Sequence, residues 1–172
     1  MRSKAREIDK SELENESLQK MMEDMQALLS KEKFGVAIAA PQAGYPIAAF
    51  MISGKTFAHA KDEKYDPKKH EDEFFFNPEI VKHSKKIVDS DEGCLSVPLK
   101  YSYSVPRYEK VSLRYMDRSG TTKTMNASGF LARVLQHEFD HLQGVLYIDK
   151  AKKVIDVDEE LRPVNPEDKQ YD

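Results

Sequence analysis

Apolar residues in this chain follow two periods. Leu18, Met21, Met22, Met25, Leu28 and Leu29 recur at i, i+3, i+4, i+7, i+10 and i+11, the stripe of a helix that buries one face. Ser11 and Glu14 stand ahead of it as a capping box, so the pattern predicts a helix over residues 12–31. Phe34 to Ala40 is apolar and small, and Pro41 ends any regular ladder pairing there. Pro46 to Ser53 reads as a strand. Phe74 to Ile80 reads as another, with Asn77-Pro78 marking an edge or a bulge inside it. Tyr108 to Met116 alternates, with Val111, Leu113 and Tyr115 on one face. Asp117 to Gly120 is a turn, and Thr121 to Ala127 returns as the second strand of a hairpin. Ser128 caps a second helix over residues 129–143, with Gly144 at its C′ position.

The remaining stretches are polar. Residues 54–73, mostly Lys, Asp, Glu and His after Gly54, read as an exposed loop or insertion with His59 and His70 solvated. Residues 151–172 read as a charged tail, mobile at its end, with Pro163 and Pro166. The order of helix, several strands, helix is that of an α+β fold. Antiparallel or mixed β-sheets are expected to pack around the second helix, with the amphipathic helix near the N-terminus docked on the core.

Composition narrows the function classes. At 172 residues the chain is one domain with room for a core, and 40% hydrophobic residues with eight Phe and eight Tyr argue against disorder. A net charge of −3 carries no electrostatic footprint for DNA. No apolar run approaches the roughly 20 residues that span a bilayer. Met1 to Lys20 lacks the apolar centre of a secretory signal, so a cytoplasmic location is expected. A single cysteine, Cys94, rules out an internal disulfide.

The chemistry is concentrated in Gln136-His137-Glu138-Phe139-Asp140-His141. Histidines four apart share a helical face, so both imidazoles can converge on one divalent cation, and Glu138 sits beside it to handle a proton of water. Phe130 and Val134 lie on the same face, as at the floor of a pocket. A third ligand is needed. Tyr147 occupies the position where a third His would stand six residues downstream, and Glu159, Glu160 and Glu167 lie in the Pro-containing tail. Cys94, beside Gly93, is the remaining candidate, and a Cys-His₂ set leaves a fourth position open for water.

Three ordered segments now resemble the peptide deformylase family: Gly35-Val36-Ala37-Ile38-Ala39-Ala40-Pro41-Gln42, Glu92-Gly93-Cys94-Leu95-Ser96 and Gln136 to His141. Weaker echoes lie at Phe76 to Ile80, Val97-Pro98 and Leu142 to Asp149, so the likeness runs from Lys4 to Asp149. The resemblance implies a metalloenzyme that removes the formyl group from N-formylmethionyl peptides as they are made. It implies Cys94, His137 and His141 as ligands of one divalent ion, Fe2+ in the cell, with Zn2+, Ni2+ or Co2+ able to replace it. It implies Glu138 as the base, with the Gln42 side-chain amide and the Leu95 backbone N–H holding the oxyanion. Gly35, Val36, Ala37 and Gly93 would meet the substrate main chain, while Phe130, Val134 and the stem of Arg133 shape the methionine pocket. Glu92 is expected to partner an Arg or a backbone N–H, and Asp140 to be supporting or solvated. Transient ribosome contact through Lys150, Lys152 and Lys153 is weighed against the acidic tail, and no membrane partner is expected.

The family pattern has a second glycine where this chain has Ala37, so a narrowed cleft or restricted φ is expected there. The segment ahead of Lys4-Ala5-Arg6-Glu7-Ile8 is also short for the family. A broader metallopeptidase, and a deformylase-like peptide-binding protein without turnover, are the rival readings.

Overall fold

The computed structural model describes residues 2–33 and 35–168; Phe34 and the last four residues of the predicted tail lie outside them. Helix α1 is Glu16–Ser30, α2 is Gly54–Ala60 and α3 is Gly129–Leu142. The strands are β1 (Ala37–Ala39), β2 (Ala49–Ile52), β3 (Glu73–His83), β4 (Ile87–Cys94), β5 (Val97–Tyr108), β6 (Lys110–Met116), β7 (Thr122–Ser128) and β8 (Ile155–Asp156). They form two antiparallel sheets, a five-stranded one in the order β1-β2-β3-β6-β7 and a three-stranded one in the order β4-β5-β8.

Both faces of the larger sheet are covered at β1, β2 and the start of β3, which explains the unbroken apolar runs there. Alternate residues of a strand face opposite ways. Ile38, Met51, Phe74 and Phe76 meet Leu18, Met21, Met22, Met25 and Leu29 of α1 on one side. Ala37, Ala39, Phe50, Ile52 and Phe75 meet Ala132, Val134, Leu135 and Leu142 of α3 on the other. The helix carrying the histidines is therefore a core element, held from behind by a sheet and contacted by β5.

Several expectations shift. The helix of the methionine stripe starts at Glu16, after a 3-10 turn over Lys10–Glu14 in which Glu12, not Glu14, accepts the N–H of Asp9. Leu28 is 41% exposed and lies outside the buried stripe. Residues 54–73 are an exposed stretch only in part: residues 61–69 are mostly exposed, as expected, but the segment begins with a helix and turns one histidine inward. The helix is α2, and His70 is 4% exposed, its Nδ1 accepting from Asp66 N–H at 3.1 Å and its Nε2 3.0 Å from a Glu63 carboxylate oxygen. Gly54 allows this fold-back, because a Cβ there would stand 1.9 Å from the His70 carbonyl oxygen. His59 is exposed but meets the Phe130 ring edge-on at 5.0 Å. The charged tail is docked at its start: β8 pairs with β5, and Ile155 and Val157 are buried.

Pro78 proves to sit at a bulge in β3, the central strand, not at an edge. Asn77 adopts a left-handed φ of +47° there, and its side-chain amide holds both the N–H and the C=O of Ile8, at 2.9 and 2.7 Å. The Val111 hairpin, its Asp117–Gly120 turn and the Ser128-to-Gly144 helix lie where the pattern places them, though no side-chain hydrogen bond is made by Ser128 as cap.

Candidate metal centre and its cavity

The end of β4 and one face of α3 bring three ligand-type atoms together. His137 and His141, one helical turn apart, hold their rings at 4.9 Å and nearly perpendicular. Cys94 closes β4 just before a two-residue turn, Leu95-Ser96, and its Sγ lies 3.2 Å from His141 Nε2. The ligand atoms of Cys94, His137 and His141 all fall within 4.8 Å of one another. Gly93 lets this strand end close on its neighbour, since a Cβ there would stand 3.1 Å from the Tyr101 ring.

A chain of buried charge stands behind His137. Its Nδ1 lies 2.7 Å from a Glu92 carboxylate oxygen. Arg107, at the end of β5, donates to both Glu92 oxygens at 2.6 and 2.8 Å and to Asp140 at 2.6 Å. Lys150 donates to the other Asp140 oxygen at 2.7 Å. Glu92 thus has the Arg partner expected of it, and Asp140 supports the same arginine. Arg107 itself, within a strand that the sequence reading did not delimit, was not foreseen.

The donor set fits a divalent cation. One thiol and two imidazole nitrogens suit a borderline-soft metal, and Glu92 orients His137 so that Nε2 is left for a ligand's role. Beside them, Glu138 Oε2 is buried with no hydrogen-bond partner among the described residues, as are His141 Nδ1 and the Tyr147 hydroxyl. Burial, reinforced by the nearby Glu92 charge and only partly offset by His137 and Arg107, pushes the Glu138 carboxyl up to about 7. For Glu92 burial works the same way, but Arg107 and His137 outweigh it and hold the carboxyl down at about 2. Burial opposes charge on His137, yet Cys94 and Glu92 raise it to about 10; on His141 burial and the His137 charge lower it to about 3. A cation held by His137 would compete directly with that extra proton.

Gln42 approaches from the larger sheet, in the 3-10 turn Ala40–Ala43 that Pro41 helps begin. Its Oε1 accepts from Ala39 N–H at 2.8 Å, which aims Nε2 at Ser96 Oγ, 3.0 Å away, and at Cys94 Sγ, 3.7 Å away. A cavity of about 630 Å³ opens over these groups. Gly35, Val36, Ala37, Gln42, Gly93, Cys94, Leu95, Phe130, Val134, His137 and Glu138 all line it, whereas His141 lies behind, almost wholly buried. Ala37 does not occupy the left-handed region, so its backbone has no need of glycine. Tyr101, Leu99 and Leu161 also line the cavity and were not singled out beforehand.

The sequence pattern of the polypeptide deformylase family matches residues 1–156. The chain belongs to the peptide deformylase family. Peptide deformylase 2 of Nostoc sp. is 37% identical over 139 residues, covering 79% of this chain and 73% of that protein. The peptide deformylase of Salinibacter ruber is 36% identical over 143 residues, covering 83% and 72%. A crystal structure of the class I type b peptide deformylase from Acinetobacter baumannii, bound to Met-Ala-Ser, superposes with a TM-score of 0.72 at 28% identity, covering 87% of this chain and 90% of that one. Like its family, this deformylase is a metal-dependent hydrolase that removes the N-formyl group from nascent peptides. That likeness favours neither a broader peptidase nor a binding protein without turnover. Among the described residues no helix is long and apolar enough to cross a membrane.

Proposed function

We propose that Cys94, His137 and His141 hold the single divalent ion of a deformylase acting on N-formylmethionyl peptides, with Glu138 as the group that moves the proton. The observation that carries this reading is the convergence of those three ligand atoms within 4.8 Å beside a buried, unpartnered Glu138 carboxylate oxygen. Fe2+ is the ion expected in the cell, and Zn2+, Ni2+ or Co2+ suit the same donors. When bound, such a cation supplies a Lewis acid that acidifies water and polarises the formyl oxygen.

The chain's own groups do the rest. Glu138 takes a proton from the attacking water and returns it to the departing nitrogen, so formamide and water become formate and a free amine. Charge developing on the formyl oxygen is met by Gln42 Nε2–H and by Leu95 N–H, which has no acceptor among the described residues. The Cys94 thiol serves as a ligand and not as a nucleophile. β1 is an edge strand, so Gly35, Val36 and Ala37 can take the substrate as an added strand, with Gly93 facing it. Phe130 and Val134 form the methionine wall, and Arg133 stacks over Phe130 at 5.1 Å. Substrates emerging from the ribosome imply transient contact with it. Lys150, Lys152 and Lys153 are each paired with an aspartate, which leaves them a poor anchor for RNA.

Anaerobic purification, metal analysis and formate release from a formyl-Met peptide test the assignment. Glu138→Ala should keep its metal and lose a factor of about 10²–10⁴ in kcat, while Cys94→Ala should fail to retain metal. Full activity in a metal-retaining Cys94→Ala variant would overturn the ligand set.

A further inference from the structure

Two leucines at the cavity mouth combine exposure with an unfavourable backbone. Leu99 in β5 has a φ of +58° and Leu161, in the turn after β8, a φ of +59°. L side chains rarely adopt this region, and residues held there gather at ligand clamps and active sites. Both side chains line the cavity, and they are 55% and 39% exposed. Nothing in the core accounts for them, because neither joins a buried cluster.

A short strap ties the segment that carries Leu161 to the strand that carries Leu99. Val157 N–H donates to the Leu99 carbonyl at 3.1 Å, and the turn of residues 158–162 follows at once. Within it the Asp158 carboxylate accepts from the backbone N–H groups of Glu160 and Arg162, both at 2.9 Å, and from Arg162 Nε at 2.8 Å. Val157 bridges back to Pro163, and Lys33 Nζ reaches Glu160 across the mouth at 2.8 Å. Leu161 is therefore carried at the corner of a braced turn, not on a free tail.

A cavity of this size holds a drug-sized ligand, more than a formyl-methionine alone fills. An extended peptide advances about 3.3–3.6 Å per residue, so the residues after the methionine must leave past this mouth. We infer that Leu99 and Leu161 form an apolar clamp on a side chain one or two positions downstream of formyl-methionine, giving the enzyme a preference for leucine or phenylalanine there. Glu32, Asp91, Asp158 and Glu159 outnumber Lys33, Lys100 and Arg133 along the same lining, which makes aspartate the least favoured choice. The inference rests on the proposed deformylase site, since it takes the peptide to start there.

The test uses the metal-loaded full chain with two peptide series, formyl-Met-X-Ser and formyl-Met-Ala-X, where X is Leu, Phe, Ser or Asp. In one series kcat/KM should be about five- to tenfold higher for Leu or Phe than for Ser, carried by KM, and lowest for Asp. Leu99→Gly and Leu161→Gly suit the left-handed backbone and so keep the strap folded. Each should bring the Leu-to-Ser ratio towards one, whereas Val164→Ser, outside the cavity, should leave it unchanged. Turnover indifferent to X, or a preference that survives both glycine variants, overturns the clamp while the deformylase assignment stands. Failure to release formate from any formylated peptide defeats that assignment and the clamp with it.

Discussion

Behind His137 the protein buries Glu92 and Arg107, 3% and 2% exposed in their side chains, in one chain of hydrogen bonds, whereas at the cavity mouth it leaves leucines in water. The floor is ordered by charge and the mouth by shape. Placing proton-moving and ligand-type groups to a fraction of an ångström needs neighbours that cannot relax, and buried ion pairs supply that at a high cost of desolvation. Passing many different nascent peptides needs only a loosely selective apolar rim. The contrast predicts that damage to the floor is severe and damage to the mouth graded.

The largest effect should come from Arg107→Leu. It takes from two buried carboxylates, Glu92 and Asp140, the cation they share, leaving them His137 and Lys150 alone, and should cost about 3–5 kcal/mol of stability, read by urea unfolding; a variant as stable as the parent would mean that the floor does not depend on this network. Glu92→Gln comes next. It can keep an acceptor for His137 Nδ1 but removes the charge and one of the two acceptors of Arg107, so metal affinity should fall about ten- to a hundredfold in chelator competition, with a lowered urea midpoint as well.

Ala37→Gly probes the wall between floor and mouth. Removing one methyl from the cavity lining should shift peptide KM a few-fold, about the scale of one lost methylene contact, and leave kcat in place. Identical kinetics would take Ala37 off the substrate's path. The smallest effect lies far from the site. Lys69 first and His70 second hold the Glu63 carboxyl at about 2, below its ordinary 4.5. Its contribution is thus fully present above 4.5 and fades as pH falls towards 2, so Glu63→Gln should lower stability slightly at neutral pH, and that difference from the parent should vanish as pH falls towards 2.

How much of this was legible in the sequence depended on whether a residue's role is local. The methionine stripe, the Val111 hairpin and the His-Glu-x-x-His helix are periodic, and periodicity survives into structure because each needs only its own neighbours and one buried face. Cys94 was legible by elimination and by its glycine. Strand β5 was not, since Pro98 and Pro106 interrupt it and its alternation mixes Lys, Ser and Tyr. With β5 went Arg107, whose partners lie on β4 and α3 and carry no spacing signature. His70 was misread for the same reason: a run of Lys, Asp and Glu hides one side chain that Gly54 draws inward. The strap at Leu161 depends on a strand pairing of only two residues, below what any pattern can signal.

The proposed ligands come from the end of β4 and from α3, two elements separated along the chain by β5, β6 and β7. A cation shared between them is a cross-link that exists only when the chain is folded. By mass action, every tenfold rise in free metal above its dissociation constant adds about 1.4 kcal/mol to the folded state. The melting temperature of this enzyme is then not a constant of the polypeptide but a reading of the metal supply around it.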